Sequence, residues 1–408
     1  MSDKRIIFLC ILLFHTFFVY IGGYSSVLGR VIQAACLLLF IILFNTRYRF
    51  LFYNKNKKLI AGIICYVLAV VITSLLSIFV NTSYLKTLNV EAIKDYYEPS
   101  SYILGVMIAL VVFTYFSFIE YLNIFNKTKL IGVVFFRLCL FYCVVADIVS
   151  IAAGVDNTFI AGGKFALSYL HLFLVVFYYL KNSLSNYHIR NKNYYFLILY
   201  AIVVSILSEC TTALVGGLVL FFSFRYKKIF AHKIFRPKIM LYILIFCALF
   251  PLLVSSLINN SFISYIIVDI LGEDLTLTGR TGIYETLAGT IILRPIWGFG
   301  IGNGHFIMSY LYGTANAQNG VANLMLEQGL VGVISVISLF WICQNEVKIR
   351  RNINTVFAVY GILLVMVVMS MVEITIDSRF IVFISFLLLK CKACQNVSNV
   401  KFLGKIRT

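Results

Sequence analysis

Charged residues are scarce in this sequence. Only 12% of its 408 residues are Asp, Glu, Lys or Arg, 61% are hydrophobic, and the mean hydropathy is +0.96. A soluble globular domain carries about twice that share of charge, so a soluble fold is excluded. The sequence also lacks the alternating ten-residue segments of a membrane β-barrel. Its apolar runs have the length of about 20 residues that a helix needs to cross a bilayer, which predicts an all-α integral membrane protein.

Acidic residues are half as frequent as basic ones, 16 against 34, and the net charge is +18. This excess does not indicate a nucleic-acid partner, because 26 of the basic residues lie in one set of alternate loops and at the two ends of the chain. Such loops face the cytoplasm under the positive-inside rule. We therefore expect a multi-pass protein in contact with membrane lipid, with both termini in the cytoplasm and no nucleic-acid partner. The opposite loops hold most of the acidic residues: Glu91, Asp95, Glu98, Asp156, Asp269, Glu273, Asp274, Glu285, Glu373 and Asp377.

Cysteine spacing gives no disulfide or metal framework. Nearly all of the ten cysteines lie in apolar segments, so we expect no disulfides. Cys391 and Cys394 form a CxxC pair without a second pair or a histidine, and ordinary interfacial cysteines are favoured there over a zinc site. The sequence therefore predicts neither a metal nor a cofactor.

Apolar segments along the chain predict about twelve transmembrane helices in a single polytopic domain that covers residues 1–408. The first is expected to be a spanning helix rather than a cleaved signal. One connection is long, because residues 259–319 separate the ninth and tenth helices on the external side, and a smaller external loop spans 81–100. The predicted helices cover 6–24, 27–45, 59–80, 101–123, 130–153, 165–181, 194–209, 211–224, 239–258, 320–343, 354–372 and 379–391.

The long loop contains apolar residues at helical spacing. Ile283, Leu287 and Ile291 fall at positions i, i+4 and i+8. This pattern predicts an amphipathic helix that lies on the membrane surface.

The same loop combines two arginines, Arg280 and Arg294, with many glycines. Arginine donors grip phosphate oxygens in pairs, and glycine lets backbone N–H groups approach an anion closely. A diphosphate ligand at the membrane surface is one interpretation, and pairing of each arginine with a loop carboxylate or a lipid headgroup is the other. The alternating glycines at 298, 300, 302 and 304 have no βαβ context, so they indicate turns rather than a dinucleotide site.

Polar side chains follow one face of the tenth predicted helix, because Asn319, Asn323 and Glu327 are four residues apart. A carboxylate within a spanning segment normally faces the bundle interior, a partner or water. Glu327 therefore either pairs structurally or shapes a polar cavity under the loop.

Other ionisable residues are weaker candidates. His305 is the one histidine of the long loop and is a candidate general base, with Glu209, Glu91, Asp95 and Glu98 as rivals. Glu373, Asp377 and Arg379 gather at the external end of the last hairpin, where a local ion pair is favoured. Arg137 and Asp147 lie within the fifth helix and need partners on other helices, and His171 is expected to be a packed, hydrogen-bonded residue.

An ordered set of residues lies at the junction of the long loop with the next helix: Thr278-Gly279-Arg280, Pro295, Gly298, Gly300, Gln318-Asn319, Leu324, Glu327, Gly329 and Gly332. This set, spread over about 60 residues, resembles the O-antigen polymerase (Wzy) family, within the O-antigen ligase and polymerase superfamily. Two departures are Gln318, where family members often have histidine, and the segment Ser208-Glu209-Cys210-Thr211-Thr212, which lacks an arginine that many members carry.

The resemblance implies a metal-independent, inverting glycosyl transfer between repeat units linked to undecaprenyl diphosphate, at the periplasmic face of a bacterial inner membrane. The resemblance leaves the base unassigned. Our hypothesis places Arg280 and Arg294 at the diphosphate and makes His305 and Glu327 the candidate catalytic residues. Gln318, Asn319, Asn323 and Arg379 are candidate supporting residues. A co-polymerase that sets chain length is the expected partner.

Three alternatives remain open at this point. An O-antigen ligase differs in acceptor rather than in fold. A flippase for lipid-linked oligosaccharides would be expected to have two related halves and mostly short loops. The sequence shows neither such symmetry nor a short connection between the ninth and tenth helices. A purely structural membrane subunit leaves the loop with its arginines and glycines unexplained.

Overall fold

The computed structural model describes residues 1–19, 27–53, 56–80, 101–154, 163–185, 191–258, 260–265, 268–269, 280–304, 307–308, 317–350 and 353–390. The loop at 81–100, His305, Cys391 and Cys394 lie outside these ranges. The longer helices are α1 (Asp3–Phe17), α2 (Val27–Phe44), α3 (Lys57–Val80), α4 (Ser101–Ile124), α5 (Thr128–Ala153), α6 (Lys164–Leu184), α7 (Asn191–Leu207), α8 (Thr211–Arg225), α9 (Pro237–Ile258), α10 (Arg280–Leu293), α11 (Gly320–Arg350), α12 (Phe357–Met369) and α13 (Ser378–Phe386).

Shorter helical segments connect some of these helices. A 3₁₀ segment, Asn45–Tyr53, follows α2, and Ser261–Tyr265 follows α9. Between α8 and α9 the chain forms a short α turn, Lys227–Ile229, and a π-helical turn, Phe230–Ile234.

All of the regular structure in the described ranges is helical, which confirms the all-α class. Within the described part of the chain, five helical stretches are long and apolar enough to cross a membrane: Lys57–Ser77, Ile103–Ile124, Thr128–Ala152, Lys164–Leu184 and Gly320–Val347. A sixth results if Lys227–Ile234 and Pro237–Pro251, which meet at 87°, form one bent span. These helices are consistent with a membrane protein.

The centre of the bundle is built from helices that are apolar on every side. Helices α6, α12 and α13 bury nearly all of their residues, because a helix without a polar face has to be surrounded by others. The outer helices expose large apolar side chains, such as Ile42 (69%), Ile151 (87%) and Leu207 (73%). Water would make such a surface costly, whereas lipid chains would not.

Each predicted helix has a counterpart, but several boundaries differ. Helix α11 extends to Arg350 and is interrupted at Gly329, whereas α12 and α13 are shorter than predicted, with 13 and 9 residues. The segment between α9 and α11 contains α10, so the helix expected from Ile283, Leu287 and Ile291 is present.

The apolar face of α10 packs against protein, which corrects the prediction that it lies on the membrane surface. Ile283, Tyr284 and Leu287 are buried in a small cluster with Phe299 and Leu326. The exposed apolar residues of this region lie elsewhere: Ile292 is 72% exposed and Ile296 is 52% exposed. Spacing alone identifies an apolar face but not its partners, and here the partners include α9, through Phe250, and α11, through Leu326.

Candidate functional site

The site begins at a break in α11. Gly329 has φ 62° and ψ −163°, a conformation that essentially only glycine adopts. In an unbroken helix, the amides of Leu330 and Val331 would bond to the carbonyls of Leu326 and Glu327. At the break, all four groups need other partners.

The glycine-rich loop supplies those partners. Phe299 N–H donates to Leu326 O (2.8 Å), and Gly300 N–H donates to Glu327 O (2.7 Å). In return, Leu330 N–H donates to Pro295 O (2.8 Å), and Val331 N–H donates to Ile296 O (3.2 Å). The main chain of residues 295–300 thus lies against the break, and its hydrogen bonds replace the two missing helical bonds. We call this segment and its contacts the wedge. Irregular backbone within a membrane protein requires such internal hydrogen bonding.

Glycines make this close approach possible. A Cβ on Gly298, which has φ 65°, would lie 2.5 Å from the backbone nitrogen of Gln328, and one on Gly329 would overlap the carbonyl of Ile296. The amide of Gly298 donates to Arg294 O (3.1 Å). Because the amides of Gly298, Phe299 and Gly300 already have acceptors, a phosphate group would have to be held by side chains rather than by these amides.

The wedge places Glu327 on the wall of a cavity of about 290 Å³. Gly302 N–H and the Asn323 side chain both interact with the Glu327 carboxylate. Gly304 lies against it as well, since a Cβ there would be 3.3 Å from Oε1. Of the two interpretations of Glu327 from sequence, the structure favours the polar cavity, because no lysine or arginine of the described ranges forms an ion pair with it.

Further polar side chains line the same cavity. Gln328 is 6% exposed, and its Oε1 has no hydrogen-bond partner. Tyr66 of α3, together with Asp377 and Ser378 at the start of α13, completes the polar part of the lining. Sequence reasoning did not place Gln328, Tyr66 or Ser378 here, since nothing in their spacing relates three separate helices.

Asp377 forms an ion pair with Arg379, which confirms the predicted local ion pair. Arg379 contacts the Asp377 carboxylate through Nε (2.7 Å) and Nη2 (2.5 Å). Asp377 also caps α13, because its Oδ1 accepts from the backbone N–H of Arg379 (2.8 Å). Arg379 is 5% exposed and its guanidinium lies 6.0 Å from the ring centre of Tyr169, so its contacts hold the wall of the cavity in place.

Asn319 and Gln318 have structural contacts at the start of α11. The Asn319 Oδ1 accepts from the backbone of Val321 (3.0 Å) and Ala322 (2.9 Å), while its Nδ2 donates to Cys247 O and Met371 O, both at 3.2 Å. Gln318 has φ 49°, and its carbonyl accepts from the Tyr284 hydroxyl (2.8 Å). These residues fix α11 against α9, α10 and the end of α12.

The two arginines of the loop are placed differently. Arg294 donates to Gly298 O (2.8 Å) and lies 5.7 Å from the ring centre of Phe299, so it braces the wedge. Arg280 is the first residue of α10, and its side chain lies outside the described part of the structure. The structure therefore brings Glu327, Asn323 and Asp377 to one cavity, with Arg379 bound to Asp377 behind its wall. The relation of Arg280 and His305 to this cavity lies outside the described residues.

A second buried polar cluster lies in α5, α6 and α7. Asp147 accepts from the Tyr200 hydroxyl, and His171 Nε2 lies 3.4 Å from the same Asp147 oxygen. His171 Nδ1 contacts Leu167 O at 2.9 Å. Asp147 thus has the partners on other helices that its position required, and His171 is packed and hydrogen-bonded as predicted.

Within the described ranges, no group of three or more His, Cys, Asp or Glu side chains is arranged to hold a metal ion. No protein-family model matches the chain, and no curated protein matches it.

Proposed function

We propose that this protein is a bacterial inner-membrane glycosyltransferase that joins repeat units of O-antigen, or of a related surface polysaccharide, while they are linked to undecaprenyl diphosphate. About twelve helices would cross the membrane, with both termini in the cytoplasm. The cavity that contains Glu327 would then open toward the periplasm. The resemblance to the O-antigen polymerase family is the origin of this proposal.

The observation that carries the proposal is the wedge of the glycine-rich loop into α11. Motif residues on both sides meet there: Gly298 and Gly300 of the loop contact Glu327, and the carbonyl of Pro295 accepts from the N–H of Leu330, next to Gly329. The contact presents a carboxylate to a cavity with several neutral polar groups. A sugar hydroxyl needs such a surface, since it is bound by hydrogen bonds and must lose its proton to a nearby base.

In the proposed reaction, the acceptor hydroxyl attacks the anomeric carbon of the donor sugar. The new glycosidic bond forms as the bond from that carbon to the diphosphate oxygen breaks, and the configuration inverts. Glu327 receives the hydroxyl proton, and undecaprenyl diphosphate leaves with the bonding electrons. Arg280 and Arg294 stabilise its negative charge, Asn323 and the Gly302 amide orient Glu327, and His305 is the alternative base. A separate protein would set the length of the polymer.

One observation supports a candidate of another class. The break in α11 resembles the discontinuous helices of secondary transporters, whose unwound segments surround a substrate. A transporter of lipid-linked oligosaccharides is therefore the second candidate. An O-antigen ligase would use the same cavity with a different acceptor.

Deletion of the gene in its own host, with a plasmid copy as control, distinguishes these functions by the pattern of surface lipopolysaccharide on a gel. A core that carries a single repeat unit, with the ladder lost, is the result expected for a polymerase. Long lipid-linked polymer beside bare core would indicate a ligase, and lipid-linked single units retained inside the cell would indicate a transporter. An unaltered ladder would exclude all three.

A further inference from the structure

A large cavity lies at the other end of α11, far from Glu327. It measures about 1040 Å³ and lies between the connection from α8 to α9 and the last turns of α11. Gln344 lines it and follows Glu327 by 17 residues in the same helix, a distance of about 25 Å at 1.5 Å per residue. This cavity is therefore separate from the proposed glycan site.

The polar lining of this cavity is basic. His232, Lys233, Arg236 and Lys238 line it, and no Asp or Glu side chain of the described ranges does. Arg236 Nε donates to His232 O at 2.6 Å, which fixes that side chain at the rim. Positively charged segments on the cytoplasmic side normally have only a topological role, so charge alone would not indicate a binding site.

A buried side chain without hydrogen-bond partners distinguishes this cavity from a simple basic loop. Gln344 is 2% exposed, and neither its Nε2 nor its Oε1 has a hydrogen-bond partner among the described residues. Leaving a buried amide unsatisfied is unfavourable, so an amide that lines a cavity indicates a polar occupant. Both a donor and an acceptor are available there, as a phosphate ester beside a glycerol hydroxyl would need.

Apart from Asn345, the rest of the lining is mainly aromatic and apolar. Phe235, Trp341 and Tyr360 form part of it, together with Tyr242, which is 63% exposed. From Tyr242 an exposed apolar stripe continues along α9 through Phe246 (51%), Leu249 (45%) and Leu253 (38%). The acyl chains of a lipid whose headgroup lies in the cavity would thus pack against this apolar stripe.

The connection that forms the rim has the orientation of an interfacial segment. Lys227–Ile234 meets α9 at 87°, so it runs parallel to the membrane surface if α9 crosses the membrane. Basic pockets at this depth on the cytoplasmic side suit phosphate-bearing lipid headgroups.

We propose that this cavity binds the headgroup of an anionic phospholipid, with the phosphate among Lys233, Arg236 and Lys238 and a polar headgroup atom against Gln344. The inference does not depend on the proposed glycosyl transfer. The lipid site would lie at the cytoplasmic end of α9 and α11. A bound lipid there would stabilise the bend between Lys227–Ile234 and α9.

The test uses the intrinsic fluorescence of the full chain. The protein has two tryptophans, Trp297 and Trp341, so a Trp297→Phe variant reports on the cavity alone. It is reconstituted in phosphatidylcholine vesicles that contain equal mole fractions of acyl-brominated phosphatidylglycerol or acyl-brominated phosphatidylcholine. The proposal expects stronger quenching of Trp341 by the brominated phosphatidylglycerol. Equal quenching by the two lipids would overturn it.

Two charge variants identify the source of that preference. Lys233→Gln with Lys238→Gln removes two charges from the cavity, whereas Lys57→Gln with Lys58→Gln removes two exposed charges that do not line it. The first pair should lower the relative association of phosphatidylglycerol by roughly tenfold or more, and the second pair should leave it close to that of the parent. Equal losses in both pairs would show general surface attraction and overturn the site.

Thermal unfolding in neutral detergent, of the parent protein and of a Gln344→Leu variant, gives a second measurement. Added phosphatidylglycerol should raise the Tm of the parent, because a ligand of the native state stabilises it. Gln344→Leu should fold without the lipid and lose most of this increase. An increase caused equally by glycerol phosphate or inorganic phosphate would show a soluble ligand and overturn the assignment to lipid.

Discussion

Gly300 donates its backbone N–H to the carbonyl oxygen of Glu327 at 2.7 Å. The glycine-rich loop thereby holds the main chain of the residue whose carboxylate lines the cavity. Glu327 belongs to the turn that precedes the break in α11, so its carbonyl has lost its helical partner. The position of the carboxylate and the integrity of the wedge are consequently coupled.

The break at Gly329 predicts a specific loss of stability. In Gly329→Ala, the side chain would overlap the Ile296 carbonyl and the backbone would keep a conformation that alanine rarely adopts, which costs of order 1–3 kcal/mol before any steric shift. We expect a lower Tm of the purified protein in detergent. Gly289→Ala is the matched control, because a Cβ there meets nothing within 4 Å and lies within α10, where alanine is favoured by about 0.5–1 kcal/mol. Equal Tm values for the two variants would contradict the wedge.

The helices were predictable because a run of apolar side chains is a local signal, and the Asp377–Arg379 pair was predictable because its partners are two residues apart. The wedge was not predictable, because its hydrogen bonds join backbone groups about 30 residues apart and no side chain takes part in them. Gly298 and Gly329 marked the place without indicating the contact. Likewise, Asp147 required partners, but its sequence position did not identify Tyr200 and His171.

Asn319 provides a test of a structural role. Asn319→Ala removes a cap, worth about 0.5–2 kcal/mol, and leaves Cys247 O and Met371 O without this donor. Asn319→Asp retains the acceptor for Val321 and Ala322 but loses both donated bonds. We expect the Tm to fall in both variants, because Asn319→Asp also places a carboxylate oxygen against these two carbonyl oxygens in a buried site. If the polysaccharide ladder vanished while the Tm stayed unchanged, Asn319 would instead have a direct part in the chemistry.

The ion pair at the start of α13 should show coupling between its two members. Asp377→Asn should lower the Tm, because it removes the negative charge that Arg379 contacts, and the side chain of Asp377 is only 25% exposed. Arg379→Gln alone should also destabilise the protein. The double variant should lose less stability than the two single losses added together, because neither charge is then left alone. Strictly additive losses would argue against the pair.

Glu327 provides the most direct test of the proposed chemistry. Glu327→Gln retains the size of the side chain and its hydrogen-bonding capacity toward Gly302 and Asn323, but an amide does not accept the hydroxyl proton. We expect protein at the parental level and a loss of polymer formation of about 10²–10⁴-fold, the usual contribution of a general base.

Glu346→Gln is the control for that substitution, because Glu346 lies near the other end of α11 and accepts a hydrogen bond from Asn56 that glutamine can also accept. The two variants therefore remove the same charge from one helix, and only one removes it from the cavity. A parental ladder is expected for Glu346→Gln in the deletion host. If Glu327→Gln gave a parental ladder at equal protein level, His305 would be the base instead. Loss of the ladder in both variants would indicate that α11 needs its charges for assembly rather than for chemistry.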